Sequence, residues 1–163
     1  MSIKLGEDQT DSIHIHIFGN KSWQLDLNPS VHFPLSSYAY GEIINSELLN
    51  YISENDLRKV PKLDIFNLKS GDCFFVKSGM WHTTQAFENS CTILFQLKVP
   101  CFIDFINSQS LKEKLIKVPQ WRNKTYGMWE ENHFNQRGKQ ILIDLAKSFN
   151  IDISEINFNY ENN

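Results

Sequence analysis

Ile13, Ile15 and Ile17 alternate with Ser12, His14 and His16. This period-two pattern predicts a strand with both histidines on one face and the isoleucines on the other. Gly19-Asn20 predicts a turn, and Lys21 to Leu27 (KSWQLDL) the return strand of a hairpin. The histidine face has two readings, a solvated polar surface or the lining of a pocket, and the alternation alone fits both. Asn28 to Pro34 reads as loop. Ser46 is a candidate cap for a short helix over about 46–54 carrying Leu48, Leu49 and Ile52, an insertion or lid between two halves of a sheet. Leu63 and Ile65 start a short strand.

The stretch Leu68 to Leu97 (LKSGDCFFVKSGMWHTTQAFENSCTILFQL) predicts further strands. Phe74, Phe75 and Val76 form one, Ser78-Gly79 turns the chain, and Thr92 to Leu97 returns as a run of β-branched and large apolar residues. His82 stands where the turn re-enters the sheet, and Trp81 and Trp23 read as core or rim aromatics. After Pro100 the period becomes helical. Phe102, Phe105 and Ile106, then Leu111, Leu115 and Ile116, suit one or two helices stopped by Pro119. An aromatic connector, Trp121 to Trp129, leads to a longer amphipathic helix carrying Phe134, Ile141, Leu142, Leu145 and Phe149, weakened by Gly138. The expected architecture is mainly β over residues 1–100, followed by a helical appendage over 101–163 packed on or beside it. The apolar stripe with Leu142 and Leu145 suits either the chain's own core or a homodimer contact.

Bulk properties narrow the function classes. The 163 residues suit one domain, and a formal charge of −3 without a long basic run argues against a nucleic-acid surface. Cys73, Cys91 and Cys101 are an odd number without CxxC spacing, which points to a reducing compartment. No run approaches membrane-span length, and the N-terminus lacks the apolar core of a signal peptide. The expectation is a soluble, cytoplasmic protein without membrane contact.

Gly71, Gly79 and His82 resemble, in order and spacing, the second sequence motif of cupins, with Lys77 where Pro is usual and Ala86 where Asn is usual. Asp8 to Trp23 (DQTDSIHIHIFGNKSW) resembles the segment that follows the HxD motif in Jumonji-C-like cupins, Fe(II)- and 2-oxoglutarate-dependent oxygenases that include protein hydroxylases. That resemblance implies a cupin-like double-stranded β-helix (jelly roll) over roughly residues 6 to 100. It implies Asp8 and His82 as iron ligands, Lys21 as the partner of the far carboxylate of 2-oxoglutarate, and Gln96 near a polar pocket position. It also implies a peptide, protein or small-molecule substrate. The chemistry is coherent: two histidines and one carboxylate hold iron on one face, and a buried cation fixes the keto acid. Gly6, however, stands where the family has the first histidine, leaving His14 or His16 as substitute ligands. Three readings follow. One is an oxygenase with a nonstandard third ligand, the second a catalytically inactive binding or assembly module, and the third a fragment of a longer oxygenase or a metal-binding cupin of another reaction class.

Overall fold

In a computed structural model, residues 5–28, 31–57, 59–130 and 133–159 are described. The chain divides into two compact units, Met1–Lys98 and Val99–Asn163. Strands of the first unit are β1 (Gly6–Glu7), β2 (Asp11–Phe18), β3 (Lys21–Leu25), β4 (Tyr38–Ala39), β5 (Asp64–Leu68), β6 (Cys73–Val76), β7 (His82–Ala86) and β8 (Cys91–Leu97). They form two antiparallel sheets, ordered β4-β1-β7-β3-β5 and β6-β2-β8. Successive strands along much of the unit change sheet, as in a cupin-like double-stranded β-helix.

This topology corrects the expected hairpin. β2 and β3 do not pair: β2 pairs with β6 and β8, and β3 with β5 and β7. The Gly19 turn instead carries the chain from one sheet to the other. Gly19 has φ +91°, and a Cβ there would meet the Asn89 carbonyl at 2.2 Å, so the turn nests against a second inter-strand turn only because the residue is glycine. Phe87 N–H donates to the Asn20 carbonyl across the two turns at 2.9 Å.

Which face of β2 points inward is also settled by register. His14 lies opposite Phe74 and Leu94, while Ile13 lies opposite Phe75 and Phe95 and Ile15 opposite Cys73 and Ile93. His14 and His16 are buried, at 7% and 0% exposure, whereas Ile17, Phe75, Ile93 and Phe95 are exposed. The polar face therefore looks into the sandwich and much of the apolar face looks out. Apolar packing is supplied elsewhere. Trp23, Leu25 and Val76 form one buried cluster, and Val31, Tyr38, Leu48, Leu57 and Trp81 another. The helical segment is two short helices, α1 (Ser46–Leu49) and α2 (Glu54–Leu57). The cap of the first is Asn45, not Ser46, because the Asn45 carboxamide oxygen accepts the Glu47 N–H at 2.9 Å.

The second unit holds α3 (Gln109–Leu115), α4 (Pro119–Arg122), a two-stranded ribbon of β9 (Trp129–Glu130) and β10 (His133–Phe134), and α5 (Gln136–Ser148). Pro119 opens α4 in its first turn, where its missing N–H costs nothing. Phe105, Trp129 and Phe134 stack around one another, with ring centroids 4.2 to 5.1 Å apart. Gly138 is a packing requirement in α5: a Cβ would meet the Met128 carbonyl and Cβ and the Phe134 ring at 2.7 Å. Leu142 and Ala146 are fully buried, and Leu145 is half-buried. Among the described residues no helix is long and apolar enough to cross a membrane.

Two glycines of the central motif separate two kinds of constraint. Gly79 has φ +82° and a Cβ would meet the Val31 carbonyl at 2.1 Å, while Gly71 has φ +91° in open space. Gly71→Ala is expected to cost about 1–2 kcal/mol, the left-handed penalty alone. Gly79→Ala adds overpacking, for a total of about 2–5 kcal/mol. Urea denaturation of the two variants checks the ordering, and equal losses would refute it.

Candidate functional site

A cavity of about 620 Å³ opens in the first unit, with Glu7, Asp8, His14, Lys21, Trp23 and His82 among its lining residues. β1 and β7 position one end: Gly6 lies opposite His82 in the ladder, which brings the Asp8 carboxylate to 3.6 Å from His82 Nε2. The backbone around this pair is held by the Ser78-Gly79 turn. Gly79 N–H donates to the Asp8 carbonyl at 2.9 Å, and Ser78 N–H donates to the Asp11 carboxylate at 2.6 Å. His82 Nδ1 lies 3.0 Å from the Met80 carbonyl, which only accepts, so Nδ1 carries the proton. Nε2 is the ring nitrogen that faces the Asp8 carboxylate.

Trp23 is the centre of the lining. It stacks on His82 with centroids 5.5 Å apart, meets His14 edge-on at 4.5 Å, packs against Phe74 at 4.9 Å, and lies 5.5 Å below Lys21 Nζ. Leu25 lies opposite His82 and Lys21 opposite Ala86, so the Lys21 backbone stands about 13 Å further along the sheet. Burial lowers the pKa of Lys21, and among the described residues it has no ion pair with a carboxylate.

The remaining candidates separate cleanly. His14 lines the cavity, but its Nε2 is 2.8 Å from Ser12 Oγ and its ring stacks on Phe74 at 5.0 Å. Burial, aided by the charges of His82 and Lys21, pushes its pKa down to about 4. His16 lies outside the cavity lining and has a structural job. Its Nε2 donates to the Gly19 carbonyl at 2.8 Å, so Nδ1 accepts the Thr92 hydroxyl at 3.1 Å, and the ring clamps the inter-sheet turn. Gln96, expected near the pocket, is exposed and is not among the lining residues.

An Fe(II) facial triad does not fit this donor set. Among the described residues no group of three or more His, Cys, Asp or Glu side chains is arranged to hold a metal ion. The missing histidine position is tightly packed, since a Cβ on Gly6 would meet the Tyr38 carbonyl of β4 at 3.1 Å.

Sequence reading missed Glu7. It is 1% exposed, lines the cavity, and neither carboxylate oxygen has a hydrogen-bond partner. Burial, reinforced by the neighbouring Asp8 charge, pushes its pKa up to about 8. Nothing in the local pattern marks it, since an acid between a glycine and an aspartate reads as loop; only the β1 pairings with β4 and β7 enclose it.

No family model matches the chain. It is 25% identical over 118 residues to the uncharacterized protein YxbC of Bacillus subtilis (strain 168), a match covering 71% of this chain and 36% of that protein. The chain thus spans about a third of that relative's length. Among solved structures it is similar to hydroquinone 1,2-dioxygenase PnpCD in complex with Cd2+ and 4-hydroxybenzonitrile, at TM-score 0.40 and 17% identity over 61% of this chain and 53% of that one. It is also similar to hydroquinone 1,2-dioxygenase from Sphingomonas sp. TTNP3 with 4-hydroxybenzoate bound, at TM-score 0.39 and 11% identity over 60% and 53% of the two chains.

The two displaced pKa values give opposite pH dependences. Glu7 keeps its proton in the folded chain but loses it near 4.5 when unfolded, so its contribution to stability falls from pH 4.5 to about 8. Glu7→Gln is expected to remove that decline, a difference on the order of a few kcal/mol at pH 8. His14 acts at the acid side: the unfolded ring protonates near 6.5 and the folded one near 4, so stability is lost as pH drops through that window. His14→Gln flattens the acid limb. Urea titrations from pH 4 to 9 measure both, and a variant that keeps the wild-type slope refutes its assignment.

Proposed function

We propose that the first unit is a cupin-like binding module whose cavity takes a small carboxylate ligand anchored by Lys21. The observation that carries this reading is Lys21 itself, a partly buried ammonium facing the cavity without a carboxylate partner among the described residues. A partly shielded charge without a counter-ion favours an anion that can reach it. The cavity volume of about 620 Å³ lies within the range for small-molecule sites, and Trp23 and Leu94 are among its apolar lining residues.

A second reading is favoured by the convergence of Asp8 and His82 beside that lysine. It is a metal-dependent oxygenase of the Jumonji-C-like type, acting with Fe(II) and 2-oxoglutarate on a peptide, protein or small molecule. It requires a third donor that the described residues do not supply.

One titration separates the two. Under anaerobic conditions with 2-oxoglutarate, the binding-module reading expects no stoichiometric iron and no metal-to-ligand charge-transfer band. Carboxylate binding should persist in the presence of chelator and weaken about tenfold or more in Lys21→Ala. One-to-one iron with a charge-transfer band that disappears in His82→Ala would establish the oxygenase reading instead.

A further inference from the structure

We infer that the outer face of the β6-β2-β8 sheet is a dimer interface, on which a second copy of this chain packs its own identical face. The strand register builds this face in rows. Phe75, Ile13 and Phe95 stand side by side across the three strands, and Cys73, Ile15 and Ile93 form the next row. Cross-strand partners share a face, so both rows point away from the buried histidines of β2. Ile17 extends the apolar strip beyond them.

These side chains are uncovered to an extent that decides the matter. Phe75 and Phe95 are each 51% exposed, Ile93 45% and Ile17 40%. Cys73 is exposed as well, and Ile13 and Ile15 are half-buried. Allowing about 200 Å² for a large side chain, the face leaves on the order of 500 Å² of apolar surface in water per copy. That is the upper end of what a single soluble chain presents, and patches of this size mark contact surfaces. Two such faces together bury about 1,000 Å², the size at which specific interfaces begin.

A second copy is the occupant this chemistry fits. The two rows carry no charged, hydroxyl or amide side chain, so they offer nothing that reads a partner's polar pattern. An identical face supplies matching apolar surface and the same sheet twist, which lets two sheets pack nearly aligned with their side chains interdigitated. Charge at the ends of the strands sets the orientation. Exposed Lys77 and Lys98 follow β6 and β8 at one end, and exposed Asp72 and Glu88 precede them at the other, where Lys69 also lies. A two-fold axis lying in the plane of the face and across the strands lays the lysine end of one copy over the Asp72 and Glu88 end of the other. The stripe on α5 is a poorer seam, because Leu142 and Ala146 are already fully buried.

The test is sedimentation equilibrium of the full chain, with maleimide labelling of Cys73 as a second readout. Wild type is expected to be dimeric at about 10 µM, and Phe95→Glu, which sets a carboxylate on the face, to raise the dissociation constant about a hundredfold or more. Ile43→Glu, a change at an equally apolar but remote position that is 98% exposed, should leave the dimer intact. Cys73 should label slowly in the wild-type dimer and rapidly in Phe95→Glu. A wild-type chain still monomeric at about 100 µM, a dimer that survives Phe95→Glu, or one lost equally in Ile43→Glu overturns the proposal. If Phe95→Glu fails to fold, dilution of wild type decides: Cys73 labelling should accelerate as the dimer dissociates, and a labelling rate independent of concentration refutes the interface.

Discussion

Two backbone amides at the Ser78-Gly79 turn hold the segment between β1 and β2 in place. One binds the Asp8 carbonyl and the other the Asp11 carboxylate. The turn can come that close only because Gly79 lacks a Cβ and adopts a left-handed conformation against Val31. Two residues later, Trp81 plugs the cluster of Val31, Tyr38, Leu48 and Leu57 and leaves no freedom to the chain that follows. His82 is then delivered to β7 beside Asp8. The spacing from Gly79 to His82 is a mechanical linkage: turn, anchor, and a ring presented to the cavity.

That linkage stands although position 6, where the resemblance would place a third metal ligand, is glycine. A Cβ at position 6 would press on the β4 backbone, 3.1 Å from the Tyr38 carbonyl. The cavity has a polar lining, with Asp8 beside His82 and Lys21 over the Trp23 indole. Polar groups line the inside because the outer face of β2 carries the isoleucines. The fold tolerates this because its apolar clusters lie at Trp23 and Trp81 rather than along β2.

The strands were legible wherever period two or β-branched runs spoke clearly, as in SIHIHIF and TILFQL. Their partners were not. Gly19-Asn20 and Ser78-Gly79 have hairpin chemistry, yet both turns link strands of different sheets, and local composition carries no information about which sheet the chain enters next. The gathering of Asp8, Lys21 and His82 around one cavity followed the motif spacing. His14 and His16 were indistinguishable in sequence, since two residues apart they share a face; only the Gly19 carbonyl and Thr92 hydroxyl, brought by the turn and β8, occupy one and not the other. Glu7 was invisible because its enclosure is entirely tertiary. Gln96 misled because a shared face does not fix depth along a strand.

The refusal of β2 to pair with β3 has a kinetic consequence. The histidine-bearing strand finds its first ladder partner at β6 and its second at β8, where Asp11 meets Leu97, so nearly the whole first unit separates the two sides of that contact. Such pairing must close long loops before any contact repays the entropy. On the ribosome, β2 emerges before either of its ladder partners, and one backbone edge stays unpaired until β8 is made. Closing the β2–β8 ladder is therefore a long-range step that local structure cannot complete.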